Sequence, residues 1–357
     1  MDSRHQSFPL RSTFGFCAGF NALNIAVALI WGAISGLANA GTLGGPMRLQ
    51  DEGMFFVNGA LKDTNTLALI PGTPPKPGQI VVGQMYVHYR VPQVQKSKAR
   101  KLPIVFVHGG GLTGMTYETT PDGREGWATY FTRQGYTTYV VDFPGRGRAG
   151  FDATRVDPAK VTQVTQENAW QIFRFGPSYG QVNSGLQFPV DAVAALGAQN
   201  VPLAETTLEG GALTNTPNAL VALLDRIGPA IFFVHSQSGP MVDALVGKRP
   251  DLVKAVVNVE GSQAVAPTDA QIEAYKNVPA LELFGDFVQQ DVNGFAGKPR
   301  YDARKMVVNR INSAGGKAQI VQLPEVGISG NSHMMMQDKN NLKVADFIGA
   351  WILKNVR

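Results

Sequence analysis

A chain of 357 residues, 44% hydrophobic and only 17% charged, can bury a sizeable core and lies far from the polar composition of disordered proteins. Its net charge of +5 is mild and its basic residues are scattered, apart from Lys96, Lys98, Arg100 and Lys101 before an apolar run. That pattern argues against a nucleic-acid partner, which needs a basic face and a reading module.

The first 40 residues combine Arg4 and Arg11 with a largely apolar run from Phe14 to Leu37 and the small-x-small triplet Ala38-Asn39-Ala40. We read a signal peptide over 1–40, cleaved before Gly41, and hence an exported protein, periplasmic or secreted. An uncleaved anchor is the alternative. It would need nearly the whole of the roughly 18–20 residues that span a bilayer, in a run broken by Asn21, Asn24, Gly32, Ser35 and Gly36. No later stretch is apolar enough, so no stable membrane insertion is expected after cleavage. Cleavage also removes Cys17, the one cysteine, and with it disulfides, cysteine-ligated zinc and a thiol nucleophile.

From Met54 to Val91 the pattern predicts short, partly alternating strands, clearest over Met85–Arg90, separated by the Pro/Gly-rich turn Pro71–Gly78. An antiparallel opening to a sheet is expected there. The character then changes to continuous apolar strands alternating with helices. Strands are predicted at Leu102–Val107, Tyr136–Phe143, Ala230–Val234, Leu252–Val259, Ala280–Phe284 and Ala318–Leu323, with helices at Trp127–Arg133, Asn218–Ile227, Met241–Val246, Tyr301–Ser313 and Leu342–Lys354. Such runs ending in glycine-rich loops mark a mostly parallel, doubly wound α/β sheet covered on both faces. Residues 41–357 are expected to form one domain. Between Gly150 and Thr216 no strand pattern shows, but Trp170, Phe173, Phe175, Tyr179 and Phe188 do, as in a cap-like insertion at about 150–216 that lines a pocket or packs onto the sheet.

Ala230–Val234 runs through His235-Ser236-Gln237-Ser238-Gly239-Pro240 into a helix, the setting of a nucleophile elbow in which a serine hydroxyl stands clear of the sheet. The positions two before and two after the serine are normally small. Ser238 satisfies this and the β-branched Val234 departs from it. Ser238 is the alternative nucleophile, but Ser236 falls directly at the strand's end. Two carboxylates follow later strands, Glu260 after Ala255–Val259 and Asp286 after Leu281–Gly285, and either could orient a catalytic imidazole.

His108-Gly109-Gly110-Gly111, then His235-Ser236-Gln237-Ser238-Gly239, then a late histidine, in that order, resemble the α/β-hydrolase superfamily. Leu112–Gly123 and Gly330-Asn331-Ser332-His333-Met334 further resemble a smaller group of exported bacterial esterases. The resemblance spans most of residues 50–357 and implies the α/β-hydrolase fold. Of the four histidines after the leader, His88 belongs to the antiparallel opening and His108 precedes the glycine run. His235 adjoins the serine and would point to the opposite face of an extended strand. His333 remains, in the loop after the last strand where the superfamily order Ser, acid, His puts the base. The resemblance also implies a glutamate acid from the earlier strand, Glu260, leaving Asp286 to hold a loop or line the pocket. Backbone N–H groups of Gly110 and Gln237 are expected to form the oxyanion hole.

The expected function is serine esterase, acting on a small-molecule ester through an acyl-enzyme. Alternatives are a lactonase, amidase or polyester hydrolase on the same triad, or a non-catalytic secreted binding protein with the hydrolase fold. No cofactor and no metal are expected, because the histidines occur singly and no carboxylates cluster at ligand spacing. Oligomeric state is left open.

Overall fold

Among the described residues eight strands form, in chain order: β1 (Leu49–Thr64), β2 (Gly78–Pro92), β3 (Ile104–Val107), β4 (Thr138–Asp142), β5 (Ala230–His235), β6 (Val253–Val259), β7 (Ala280–Phe284) and β8 (Ala318–Gln322). They make one sheet in the order β1-β2-β4-β3-β5-β6-β7-β8. β2 runs antiparallel to both β1 and β4, and every other pair is parallel. The computed structural model describes residues 44–65, 74, 76–155, 157, 161–263, 265–290 and 297–356. The expected leader over 1–40, its cleavage point before Gly41 and most of the turn Pro71–Gly78 lie outside the described residues.

The antiparallel opening is two long strands of 16 and 15 residues, not several short ones. Gly59 and Gly83, which read as breaks in the sequence, face each other across the pair with φ of 92° and 76° and absorb a kink instead. The parallel strands are buried on both faces, and successive residues alternate between two cores. Ile104, Phe106, Ile231 and Phe233 belong to one, and Val105, Val107, Phe232 and Val234 to the other. That two-sided burial is why these strands read as unbroken apolar runs.

Nine helices among the described residues cover the sheet or its carboxyl edge: α1 (Met115–Glu118), α2 (Trp127–Arg133), α3 (Gln166–Ile172), α4 (Val193–Gln199), α5 (Gly211–Ile227), α6 (Gly239–Lys248), α7 (Asp269–Ala274), α8 (Gly297–Ser313) and α9 (Asn341–Asn355). α2 and α9 bury Phe131, Ile348 and Trp351 in the first core. α5, α6 and α8 bury Leu220, Leu245 and Ile311 in the second. α5 begins before its expected start and carries Pro217 inside it, because burial of Thr216, Pro217 and Leu220 holds the extra turns. Between β4 and α5 the described residues form no strand, only short 3₁₀ turns, α3, α4 and loop. Among the described residues no helix is long and apolar enough to cross a membrane.

Phe233 sits at the centre of the first core, its ring 5.1 Å from those of both Phe106 and Phe131 and edge-on to Trp127 at 6.2 Å. Phe233→Ala removes a wholly buried ring from a sheet that has little room to collapse, at a cost of about 3–5 kcal/mol. The expected reading is a lower urea midpoint with unchanged slope.

Candidate active site

β5 enters the site fully buried, and the chain turns at Ser236 through a single 3₁₀ turn, Ser236–Ser238, into α6. Ser236 has φ of 52°, a left-handed conformation rare for a residue with a Cβ and worth roughly 1–2 kcal/mol of strain. Neighbours hold it there. Its carbonyl accepts from Ser262 N–H at 2.7 Å, and the Ser238 hydroxyl donates to the His108 carbonyl. Gly109 must lack a side chain, since a Cβ would stand 2.5 Å from His235 Nδ1 and 3.1 Å from the Ser236 Cβ. Val234, the departure from the usual motif, packs away from the turn into the second core.

Facing Ser236 is the loop that carries His333. Its Nδ1 lies 3.0 Å from Glu260 Oε2, and because a carboxylate only accepts there, Nδ1 bears the proton and Nε2 the lone pair. Glu260 follows β6, again with a left-handed φ of 52°. Its other oxygen accepts from Gly285 N–H at 2.8 Å and from the Arg174 guanidinium. Burial alone would raise the Glu260 pKa, but Arg174 and the His333 N–H outweigh it and hold the carboxyl well below the usual carboxylate range. Burial pushes the His333 imidazole down to about 4; hydrogen bonding to Glu260 pulls it up, and Arg300 and Arg174 push it down.

Of the two carboxylates left open by the sequence, Glu260 is the one at His333. Asp286 instead clamps the loop, donating its N–H to the Asn331 carbonyl at 2.7 Å and accepting Asn331 N–H at 2.9 Å. A second clamp is Asp338, which accepts Ser332 N–H at 2.8 Å, Ser332 Oγ at 2.7 Å and Asn331 Nδ2 at 3.0 Å. Burial raises its carboxyl to about 7.

His235 does not point away from the site as strand alternation predicts. Its Nε2 donates to the His333 carbonyl at 3.1 Å and its ring lies 4.6 Å from that of His333. His235 is itself extended, but Ser236 has left the strand, so the two side chains need not face opposite ways. His108 stacks on Phe143 at 3.8 Å and accepts the Phe143 N–H at 3.4 Å, a loop-holding role. His88 lies between Glu52 and Glu118, both at 3.1 Å, on the antiparallel strands.

A cavity of about 310 Å³ opens over Ser236, with Gly110, Gln237 and Ser262 on its polar side and Arg300 in its wall. Its apolar side is Val164, Ile172, Phe173 and Leu203, all from the segment between β4 and α5. Of the five aromatics singled out there, Phe173 therefore lines the cavity, and it also stacks on the His333 ring at 5.7 Å. Trp170, Phe175 and Phe188 pack in the core, and Tyr179 is largely exposed. The Gly110 N–H has no acceptor among the described residues. Gln237 turns its side chain into a buried pair, Nε2 donating to Glu205 at 3.0 Å and Oε1 accepting from Arg146 at 3.4 Å. Arg146 bonds Glu205 at 2.5 Å and the Gly109 and Leu112 carbonyls at 3.4 and 3.1 Å, which fixes the glycine loop against the turn after Ser236.

Sequence reasoning missed Arg174, Arg300, Asp338 and the Arg146–Glu205 pair. Isolated charged residues carry no periodic signal. Their one visible oddity is charge within otherwise apolar or aromatic segments, as in Phe173-Arg174-Phe175. Among the described residues, no three His, Cys, Asp or Glu side chains group to hold a metal ion.

Three comparisons bear on this arrangement. No family model matches the chain. A solved structure described as a novel bacterial esterase is 38% identical, superposes with a TM-score of 0.78, and the match covers 88% of this chain and 98% of that one. Among curated proteins, the "Probable secreted lipase phiG" of a fungal species (strain ATCC 74256) is 29% identical over 330 residues, covering 76% of this chain and 86% of the relative.

The buried imidazoles set a pH dependence. His108, held at about 3, His333, at about 4, and His235, well below its usual value, all stay neutral in the fold chiefly because burial disfavours the cation. The unfolded chain takes up protons at these positions below about pH 6.5 while the native one does not, so stability falls with pH there. The expected loss by pH 5 is on the order of 2 kcal/mol per imidazole. Urea midpoints at pH 7 and pH 5 measure it, and equal midpoints would contradict neutral burial.

Proposed function

The chain belongs to the α/β-hydrolase superfamily, and from that footing we propose that it is a serine esterase cleaving small carboxylic esters through a covalent acyl-enzyme. The observation that carries the reading is the hydrogen bond from the protonated Nδ1 of His333 to the Glu260 carboxylate, with the strained Ser236 beside that pair: Arg300 Nη1 lies 3.3 Å from Ser236 Oγ and 3.4 Å from His333 Nε2. The Ser236 oxygen attacks the ester carbonyl carbon as its proton passes to His333 Nε2. Glu260 steadies the imidazolium at Nδ1. Negative charge on the tetrahedral oxygen is met by the N–H groups of Gly110 and Gln237, two residues that line the cavity with Ser236. The imidazolium then protonates the departing alcohol, and water, deprotonated by the same imidazole, releases the acid.

The similar solved esterase and the lipase relative support ester bonds over amides or lactones as the substrate. The relative's description as secreted supports export of this chain, with residues 1–40 as leader and 41–357 as one domain bearing a cap-like insertion at about 150–216. The cavity is small, which favours short acyl chains over long ones.

Ser236→Ala is expected to lower kcat on p-nitrophenyl acetate by at least about 10⁴-fold and to abolish fluorophosphonate labelling. Glu260→Gln should cost about 10³–10⁴-fold and Asp286→Asn far less. The reverse order would make Asp286 the acid, and unchanged turnover in Ser236→Ala would remove the mechanism.

A further inference from the structure

Three arginines around this end of the sheet are fully buried, and each is neutralised by a carboxylate. Arg146 pairs with Glu205, Arg174 with Glu260, and Arg304 with Asp243 and Glu282. Arg300, in the first turn of α8, is the exception. It faces the cavity half-buried, and no carboxylate lies within ion-pair distance of it among the described residues. Among the described residues its polar contacts all come from one nitrogen, Nη1, to the Glu260 carbonyl at 3.2 Å, Ser236 Oγ at 3.3 Å and His333 Nε2 at 3.4 Å. Two hydrogens shared among three distant acceptors leave this cation poorly satisfied. Burial disfavours its charge, the nearby Glu260 carboxylate offsets that in part while Arg174 adds to it, and the cavity's apolar wall, Val164, Ile172, Phe173 and Leu203, supplies no counter-charge.

We propose that Arg300 is a specificity residue that binds a carboxylate carried by the ester, so that preferred substrates bear a free carboxylate close to the scissile carbonyl. The inference rests on the serine-esterase reading and names its substrate class. A carboxylate accepts far more strongly than a hydroxyl or an imidazole lone pair, so the guanidinium turns to it when substrate binds. That movement has a second effect. His333 Nε2 must have its lone pair free to take the serine proton, and in the unliganded protein it accepts from Arg300 instead. Pairing Arg300 with the substrate's carboxylate releases Nε2 to Ser236.

The test measures kcat/KM for two matched pairs. p-Nitrophenyl hydrogen glutarate against p-nitrophenyl pentanoate places the charge on the acyl side. 4-Acetoxybenzoate against 4-acetoxybenzamide places it on the alcohol side. The wild type is expected to favour the charged member of one pair by at least about tenfold, and the pair that responds identifies the side. Arg300→Gln should cut that ratio at least about tenfold, mainly through KM, and Arg300→Lys should retain part of it. A wild-type ratio near one in both pairs, or a ratio unchanged in Arg300→Gln, overturns the proposal. Where Arg300→Gln does not fold, wild-type turnover of p-nitrophenyl butyrate decides: competitive inhibition by glutarate but not glutaramide supports the proposal, and inhibition by neither overturns it. Flat ratios with brisk neutral-ester turnover defeat this inference alone, whereas absence of all turnover and of fluorophosphonate labelling defeats the esterase reading beneath it.

Discussion

The site depends on a single desolvated carboxylate. Glu260 is out of contact with solvent, and an unpaired charge in that position would cost several kcal/mol. It is tolerated because His333, Arg174 and the Gly285 N–H all donate to it. Those donors come from the loop after β8, the segment between β4 and α5 and the end of β7, so one charge ties together three parts of the chain that are remote in sequence. Removing any donor leaves the rest misdirected, which makes this carboxylate an organiser of geometry as much as a partner of the imidazole.

Around it, strain and restraint are balanced locally. Ser236 and Glu260 both take left-handed backbone angles at the carboxyl ends of adjacent parallel strands, where chain reversal lifts side chains out of the sheet. Neither angle would persist alone. Ser262 N–H on the Ser236 carbonyl, Leu283 on the Glu260 N–H and the bare backbone of Gly109 over-determine the turns. The loop of His333 is restrained just as densely, by Asp286, Asp338, His235 and the Phe173 carbonyl. An imidazole positioned by that many hydrogen bonds has little orientational freedom left to lose.

The parts legible in the sequence are those with a local signature. Two-sided burial made the parallel strands read as apolar runs, and β7 and α2 fall on their predicted residues. Ser236 stood out because a strand, a tight turn and a helix follow one another there, and His333 because few histidines compete with it. Glu260 and Asp286 could not be separated by position alone, since both end parallel strands; resemblance favoured Glu260, and the direction of the His333 ring agrees with that. Arg174 and Arg300 were invisible, because their roles arise from contacts across 86 and 64 positions of chain. His235 was misread for a different reason: it is the last extended residue of β5, and the alternation that would set it opposite Ser236 fails because Ser236 has already left the strand.

The segment between β4 and α5 has a consequence for how this scaffold diverges. It supplies the apolar wall of the cavity through Val164, Ile172, Phe173 and Leu203, and also the counter-ion of Glu260 through Arg174. The shape of the wall and the proton affinity of the Glu260–His333 pair are therefore inherited together. A graft that reshapes the wall by exchanging the whole segment also resets the electrostatics of the imidazole, whereas point changes at Val164 or Leu203 leave the guanidinium in place. Variation confined to the wall is the route by which the cavity can change shape while the Glu260–His333 pair keeps its counter-ion.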